Sequence, residues 1–188
     1  MKGKIIEIYD GLLPSLTQNY IEDYITNKNY LDGGFPLYYN NNLTDERNND
    51  PKSIDIGFCN NFFFKDNLMT KDLTLFLSPL YSLSSSQNLV VNDLILGRVF
   101  LQPPTPNYGP QAPHRDIEMP HYVCLYYVND SDGDTIFYDD DQKTEIKRIP
   151  PKKGRIAFFD GSIYHCGSKP KNSTRIVINV GFQGTFLK

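Results

Sequence analysis

Tryptophan is absent from this chain of 188 residues, and cysteine and histidine are scarce, with three of each. An odd number of cysteines argues against a disulfide framework, and the positions of Cys59, Cys124 and Cys166 match no metal-binding spacing. Cys124 lies in an apolar segment and is interpreted as a small core residue. The cysteines therefore predict neither a disulfide-stabilised domain nor a cysteine-ligated metal site.

Long apolar runs are also missing. No segment approaches the roughly 20 apolar residues that a transmembrane helix needs, and the apolar run near the start is too short for a signal peptide. We therefore expect a cytoplasmic protein that does not bind membranes.

A broad excess of positive charge is lacking as well, since the formal net charge is −3. A protein that binds duplex nucleic acid needs a basic surface to neutralise phosphates. A nucleic-acid partner is therefore not expected.

Hydrophobic residues make up 39% of the chain and aromatic residues 13%, which favours one folded domain with a sizeable core. The residue pattern predicts a strand over residues 4–9 and an amphipathic helix over about 14–26. It also predicts a strand over 57–64, a helix over about 70–83, and an exposed Asn-rich loop over 40–53, which is either a lid or a surface insertion. Short strands separated by turns follow, at residues 94–102, 122–128, 135–138, 145–149, 155–159 and 174–182.

Three residues in the second half of the chain match a known metal-binding pattern. His114 and Asp116 are two positions apart, so on a strand both would point to one face. With His165 from a facing strand they would complete the 2-His-1-carboxylate set that holds non-haem Fe(II). Many short strands together with this triad predict a mainly β fold with flanking helices, a double-stranded β-helix of the cupin-like jelly-roll type. The third histidine, His121, lacks a carboxylate two positions on and is interpreted as structural or pocket-lining.

In its order of motifs the chain resembles the 2-oxoglutarate- and Fe(II)-dependent oxygenases, above all the prolyl-hydroxylase-like branch with its small phage-encoded members. The shared pattern is His114-x-Asp116, then His165, then Arg175. Residues 125–130 also resemble that family's Tyr-Tyr-Leu-Asn strand. The resemblance covers about residues 94–182 and is weak before them.

The resemblance implies one oxygenase domain over residues 1–188, with a supporting part at about 1–93 and a catalytic jelly-roll core at about 94–186. It implies that His114, Asp116 and His165 hold the catalytic iron. Fe(II), 2-oxoglutarate as cosubstrate and O2 would together hydroxylate a C–H bond of the substrate, with a peptidyl residue such as proline as the leading choice.

Three residues are predicted to bind the cosubstrate or lie beside it. The guanidinium of Arg175 can grip the distal carboxylate of 2-oxoglutarate with two parallel hydrogen bonds. Tyr127, by resemblance, would donate its hydroxyl to the same carboxylate. Asn179 lies on the same strand face as Arg175 and would contact the cosubstrate or a metal ligand. Gln102 and Arg98, on the preceding strand, are weaker candidates.

Several functions remain open at this point. Halogenation is disfavoured, because the family's halogenating members replace the carboxylate at Asp116 with a small residue. Nucleic-acid demethylation is disfavoured because that branch carries a second arginine where this chain has Gly181. A hydroxylase of a free small molecule and a non-catalytic jelly-roll module, for binding or for a virion, both remain. The primary substrate, peptide or small molecule, is unknown.

Overall fold

The structure, a computed structural model, describes residues 4–26, 34–41, 56–64, 67–68 and 72–187. These residues contain two helices and twelve strands. The helices are α1 Ser15–Thr26 and α2 Leu73–Gln87. The first six strands are β1 Ile6–Tyr9, β2 Tyr38–Asn40, β3 Gly57–Phe64, β4 Asn67–Leu68, β5 Leu89–Gln102 and β6 Gly109–Pro110. The other six are β7 Tyr122–Tyr127, β8 Thr135–Tyr138, β9 Glu145–Ile149, β10 Ile156–Asp160, β11 Tyr164–Lys169 and β12 Arg175–Phe186.

The strands form two sheets in which neighbouring strands run antiparallel. The large sheet has the order β1-β10-β7-β12-β5-β3-β2, with β4 added to β3, and the small sheet has the order β6-β11-β8-β9. The two sheets and two helices confirm the predicted fold class, a mainly β jelly roll with flanking helices.

The large sheet buries apolar side chains on both of its faces. Ile176 and Ile178 of β12 pack in a cluster that includes Ile21 of α1 and Leu80 of α2. Val177, between them, belongs to a second cluster that includes residues of the small sheet. Because side chains alternate along a strand, Arg175 and Asn179 share the inner face with Val177.

The register of the large sheet brings particular residues side by side on this inner face. Arg175 of β12 pairs with Gln102 of β5, and Asn179 pairs with Arg98. Arg98 pairs in turn with Asn61 of β3. Directly paired residues of an antiparallel ladder project to the same face. Two rows of polar side chains therefore lie on the inner face of the large sheet: Arg175–Gln102 and Asn179–Arg98–Asn61.

The observed elements differ from the predicted ones mainly at their ends and in the shortest strands. The second helix lies at Leu73–Gln87 and β5 already begins at Leu89. The strands β2, β4 and β6 were not predicted, since they are short. A facing strand was expected to carry His165, without bounds, and the structure places it at Tyr164–Lys169. Of the predicted loop over 40–53, the structure describes only residues 40 and 41; residues 42–53 lie outside the described residues.

The predicted division at about residue 93 falls inside β5, and β1, β2 and β3 extend the large sheet. The domain boundaries themselves stay a prediction. Neither described helix has the length and apolar character needed to span a bilayer.

Gly97 of β5 allows the buried ring of Phe62 to lie directly on the strand. A Cβ at Gly97 would lie 2.3 Å from Cε2 of Phe62, whose ring also packs against Phe76. We expect Gly97→Ala to lower the free energy of unfolding by about 1–3 kcal/mol, because an overpacked core must shift. Chemical denaturation measures this change. In a Phe62→Leu background the same substitution should cost clearly less, and an equal cost in both backgrounds would contradict the packing explanation.

Candidate metal centre

A single reciprocal backbone pair joins the two histidines of the predicted triad. The amide of His114 donates to the carbonyl of His165 at 2.9 Å, and the amide of His165 donates to the carbonyl of His114 at 3.0 Å. Such a hydrogen-bonded pair places both side chains on one face, and the ring centroids lie 5.1 Å apart. Asp116 lies in a bend, not on the strand that the sequence argument assumed, because the pairing ends after this one bridge.

The three side chains direct their ligand atoms toward one another. Nε2 of His165 lies 3.6 Å from Oδ2 of Asp116, and Nε2 of His114 lies 4.0 Å from Oδ1. One ligand atom from each residue lies within 4.8 Å of the others. Ligands sharing an ion lie about 2 Å from it, so small side-chain movements suffice for these three to bind one ion.

Both imidazoles are held with Nε2 available for coordination. Nδ1 of His114 lies 3.1 Å from the carbonyl of Ala112, and Nδ1 of His165 lies 3.0 Å from that of Ile163. Since a carbonyl only accepts, Nδ1 carries the proton in each bond and Nε2 presents its lone pair. The partly buried position of His114, and then the neighbouring His165, lower the pKa of His114 and favour the neutral form that binds metal.

The side chain of Asp116 is only 6% exposed, and its pKa is nevertheless lowered. Burial alone raises the pKa of Asp116, but contacts with His165, His114 and Asn179 outweigh this and hold the pKa below its usual range. Nδ2 of Asn179 donates to Oδ2 of Asp116 at 2.9 Å. Because the carboxylate cannot donate, this bond fixes the amide orientation. Oδ1 of Asn179 is buried and has no partner within the described ranges. The contact with a metal ligand is one of the two roles predicted for Asn179.

Arg175 lies in a separate polar pocket on the same inner face and is only 5% exposed. Its Nε donates to the carbonyl of Gly133 at 2.8 Å, Nη1 to Oε1 of Gln102 at 3.1 Å, and Nη2 to Oγ1 of Thr135 at 3.0 Å. Every acceptor is neutral, and among the described residues no carboxylate forms an ion pair with this cation. Burial consequently lowers the pKa of Arg175. Since a guanidinium has five N–H groups, about two remain for a further acceptor.

Tyr127 supports this pocket from the neighbouring strand. Its buried hydroxyl donates to Oγ1 of Thr135 at 2.7 Å, and burial raises the pKa of Tyr127 to about 12. Thr135 thereby links Tyr127 to Arg175. The sequence analysis missed Thr135, although a polar residue opening the apolar strand β8 was a usable signal.

Two glycines leave room around the guanidinium. A Cβ at Gly133 would lie 2.9 Å from Cδ of Arg175, and a Cβ at Gly167 would lie 3.4 Å from its Nη1. The contact at Gly133 is closer than side chains normally allow, so the backbone approaches Cδ of Arg175 there only because the residue is glycine. A Cβ at Gly167 would make an ordinary contact with Nη1. Sequence reasoning identified neither glycine.

His121 stands apart from the metal-ligating group. Its Nδ1 donates to the carbonyl of Met119 at 2.7 Å, and its ring packs on Gly161, where a Cβ would lie 2.1 Å from Nε2. Within the described ranges the ligand grouping consists of His114, Asp116 and His165 and does not include His121. Its packing agrees with the structural role predicted from the sequence.

A metal titration tests the three-residue centre. We expect the native protein to bind one Fe(II) per chain under anaerobic calorimetry, and His165→Ala to lose this binding, because two donors hold the ion far more weakly than three. His121→Asn is the matched control, since its amide replaces the Nδ1–H donor, and it should bind iron like the native chain. Native-like iron binding by a folded His165→Ala variant would show that the ion lies elsewhere.

No protein-family model and no curated protein matches this sequence. The structure, in contrast, resembles solved structures over nearly its whole length. One is the viral collagen prolyl hydroxylase vCPH of Paramecium bursaria Chlorella virus-1 in complex with 2-oxoglutarate, with a TM-score of 0.56 and 16% identity, covering 99% of this chain and 98% of that one.

A prolyl hydroxylase from Trichoplax adhaerens, in complex with a peptide fragment of the oxygen degradation domain of hypoxia inducible factor, has a TM-score of 0.64 and 18% identity. The match covers 94% of this chain and 82% of the Trichoplax chain. A 2-oxoglutarate-Fe(II) oxygenase family oxidoreductase from Burkholderia pseudomallei has a TM-score of 0.66 and 7% identity, with 96% and 85% covered. The chain thus has the fold of the 2-oxoglutarate- and Fe(II)-dependent oxygenases.

Proposed function

We propose that this protein is an Fe(II)- and 2-oxoglutarate-dependent dioxygenase that hydroxylates a C–H bond of its substrate. The observation that carries the proposal is the buried guanidinium of Arg175, which has only neutral partners among the described residues and lies on the same inner face as Asn179, the partner of Asp116. A buried cation without an anion is costly. A dicarboxylate that reaches from the metal to Arg175 would remove that cost.

The residues present fit the metal and the cosubstrate. His114, Asp116 and His165 offer two imidazole nitrogens and one carboxylate, a donor set that suits Fe(II) and leaves coordination positions open. When bound, iron and 2-oxoglutarate supply the oxidising chemistry, in which O2 gives one oxygen atom to the substrate C–H and one to succinate, with release of CO2.

Arg175 would orient the cosubstrate by its distal carboxylate. Bonds to Gly133, Gln102 and Thr135 restrain all three guanidinium nitrogens before any ligand arrives. Such a preorganised fork loses little freedom on binding and selects a planar carboxylate.

Apolar packing beside His165 would keep water away from the reacting groups. The ring of Phe159 lies 4.8 Å from the imidazole of His165, and Phe137 packs against both. Charge interactions are stronger where water is excluded. Asn179 would keep Asp116 oriented as a ligand through its amide hydrogen bond.

A peptidyl residue such as proline is the leading substrate, supported by the fold shared with two prolyl hydroxylases. A free small molecule is the alternative that the sequence analysis left open. The cytoplasmic location likewise stays a prediction from the sequence.

Succinate formation separates an enzyme from a non-catalytic jelly-roll module. We expect the native protein with Fe(II), 2-oxoglutarate and O2 to form succinate slowly, and faster when a substrate is added from proline-containing peptides or free amino acids. A chelator, or His165→Ala, should abolish the product measured by NMR. An iron-loaded native protein that forms no succinate with any addition would refute the proposed enzyme activity.

Substitutions at Arg175 test cosubstrate binding apart from metal binding. We expect Arg175→Met to weaken 2-oxoglutarate binding by about 2–5 kcal/mol, or roughly 30- to 4000-fold, because a desolvated charge pair loses one partner. Arg175→Lys should lie between this variant and the native chain, since it keeps a point charge without the planar fork. Tyr127→Phe should cost about 0.5–1.5 kcal/mol, because its hydroxyl acts through Thr135.

Iron affinity should stay nearly unchanged in all three variants. Titration of each iron-loaded protein with 2-oxoglutarate, followed by the metal-to-ligand absorption, measures the effect. Native-like affinity in a folded Arg175→Met variant would exclude the cosubstrate role of this residue.

A further inference from the structure

Arg98 lies on β5, on the face of the large sheet that is directed toward the candidate metal centre. It pairs directly with Asn179 of β12, whose amide holds Asp116. Neighbouring strands lie about 4.8 Å apart. Arg98 therefore lies one strand away from the residue that orients the metal-binding carboxylate, on the same inner face.

The guanidinium of Arg98 has no hydrogen-bond or ion-pair partner in the part of the chain that the structure describes. Arg98 itself is half-buried. The other arginines in the described ranges all have partners; they are Arg115, Arg148, Arg155 and Arg175. A shielded cation that lacks a partner beside a site is a ready position for an anion.

The formal charges of the proposed complex leave Arg98 uncompensated. Fe(II) and Arg175 are together balanced by ionised Asp116 and the dianion of 2-oxoglutarate. Among the described residues no carboxylate forms an ion pair with Arg98. An anionic group of the substrate would supply the missing negative charge.

A second unpaired atom points to the same ligand. Asn179 is only 6% exposed, and its Oδ1 has no hydrogen-bond partner among the described residues. Its amide nitrogen is committed to Asp116, so Oδ1 can only accept from a ligand or a water. The guanidinium of Arg98 thus offers hydrogen-bond donors, and Oδ1 of Asn179 beside it offers an acceptor.

We infer that Arg98 anchors an anionic oxygen group, carboxylate or phosphate, of the primary substrate, while Oδ1 of Asn179 accepts a nearby N–H or O–H of the same molecule. The inference rests on the proposed function and narrows its substrate class. An acidic residue or small acid with an amide or hydroxyl close to its anionic group presents both features. Arg98 would then set substrate specificity without binding metal or cosubstrate.

Matched pairs of acidic and neutral probes test this inference. Iron-loaded protein saturated with 2-oxoglutarate is titrated anaerobically by calorimetry with N-acetyl-L-aspartate and N-acetyl-L-asparagine, and with O-phospho-L-serine and L-serine. We expect the native chain to bind at least one acidic probe about tenfold or more tightly than its neutral partner, as a partly shielded charge pair predicts. The pair that shows the preference identifies the anion as carboxylate or phosphate.

Three variants locate the preference at Arg98. Arg98→Met should bring the acidic and neutral probes to near-equal affinity, and Arg98→Lys should keep most of the preference because it keeps the charge. Arg148→Met, which removes an exposed arginine paired with Glu145 on the small sheet, should behave like the native chain. The affinity for 2-oxoglutarate should change less than about twofold in every variant.

Two results would overturn the inference. One is a native protein that binds acidic and neutral probes equally or binds neither. The other is an Arg98→Met variant that loses 2-oxoglutarate and not the probe, which would make Arg98 a cosubstrate residue. A native chain that binds neither Fe(II) nor 2-oxoglutarate would fail before any probe is added, which identifies the proposed function itself as wrong and removes this inference with it.

Discussion

The reciprocal backbone bonds between His114 and His165 are the constraint on which the metal centre depends. They attach the segment between β6 and β7 to β11 at one point and set two imidazoles side by side. A neighbouring bond from the amide of Gln111 to the carbonyl of Gly167 secures the same segment. Because the ladder ends at His114, the chain bends and places Asp116 near both rings. Asn179 donates a hydrogen bond to Asp116 there.

The two buried charges on this face are stabilised in opposite ways. Asp116 accepts an amide hydrogen bond from Asn179 and faces Nε2 of two imidazoles, an arrangement of donor atoms that suits a cation. Arg175 is surrounded by neutral acceptors and two closely approaching glycines, an arrangement that suits an anion. Arg175 belongs to the large sheet, whose other face is buried by helices, and Asp116, which lies in a bend, is held to that sheet by the hydrogen bond from Asn179.

The large sheet extends beyond β12 in a way that bears on the substrate. From Asn179 the polar row continues through Arg98 to Asn61, two strands away from the residue that holds Asp116. Arg175, Asn179 and Arg98, to which the proposals assign cosubstrate and substrate roles, therefore lie on neighbouring positions of one sheet face. Rigid strands hold such groups more accurately than loops do, and this accuracy is what a reaction at a chosen C–H bond requires.

The sequence by itself determined the mainly β fold class, the main strands and helices, and the residues that converge as His114, Asp116 and His165. These follow from local periodicity and from the order of a few chemically distinctive side chains. It also indicated Arg175 and Tyr127, through a resemblance; the hydroxyl of Tyr127 contacts Thr135, and its contact with the cosubstrate stays a prediction.

Only the tertiary structure decided which distant residues complete the site. Thr135, Gly133 and Gly167 reach Arg175, and Arg98 lies beside Asn179, because strand register between segments far apart in the chain aligns them. Register depends on how whole faces pack in the core, which local sequence patterns do not encode.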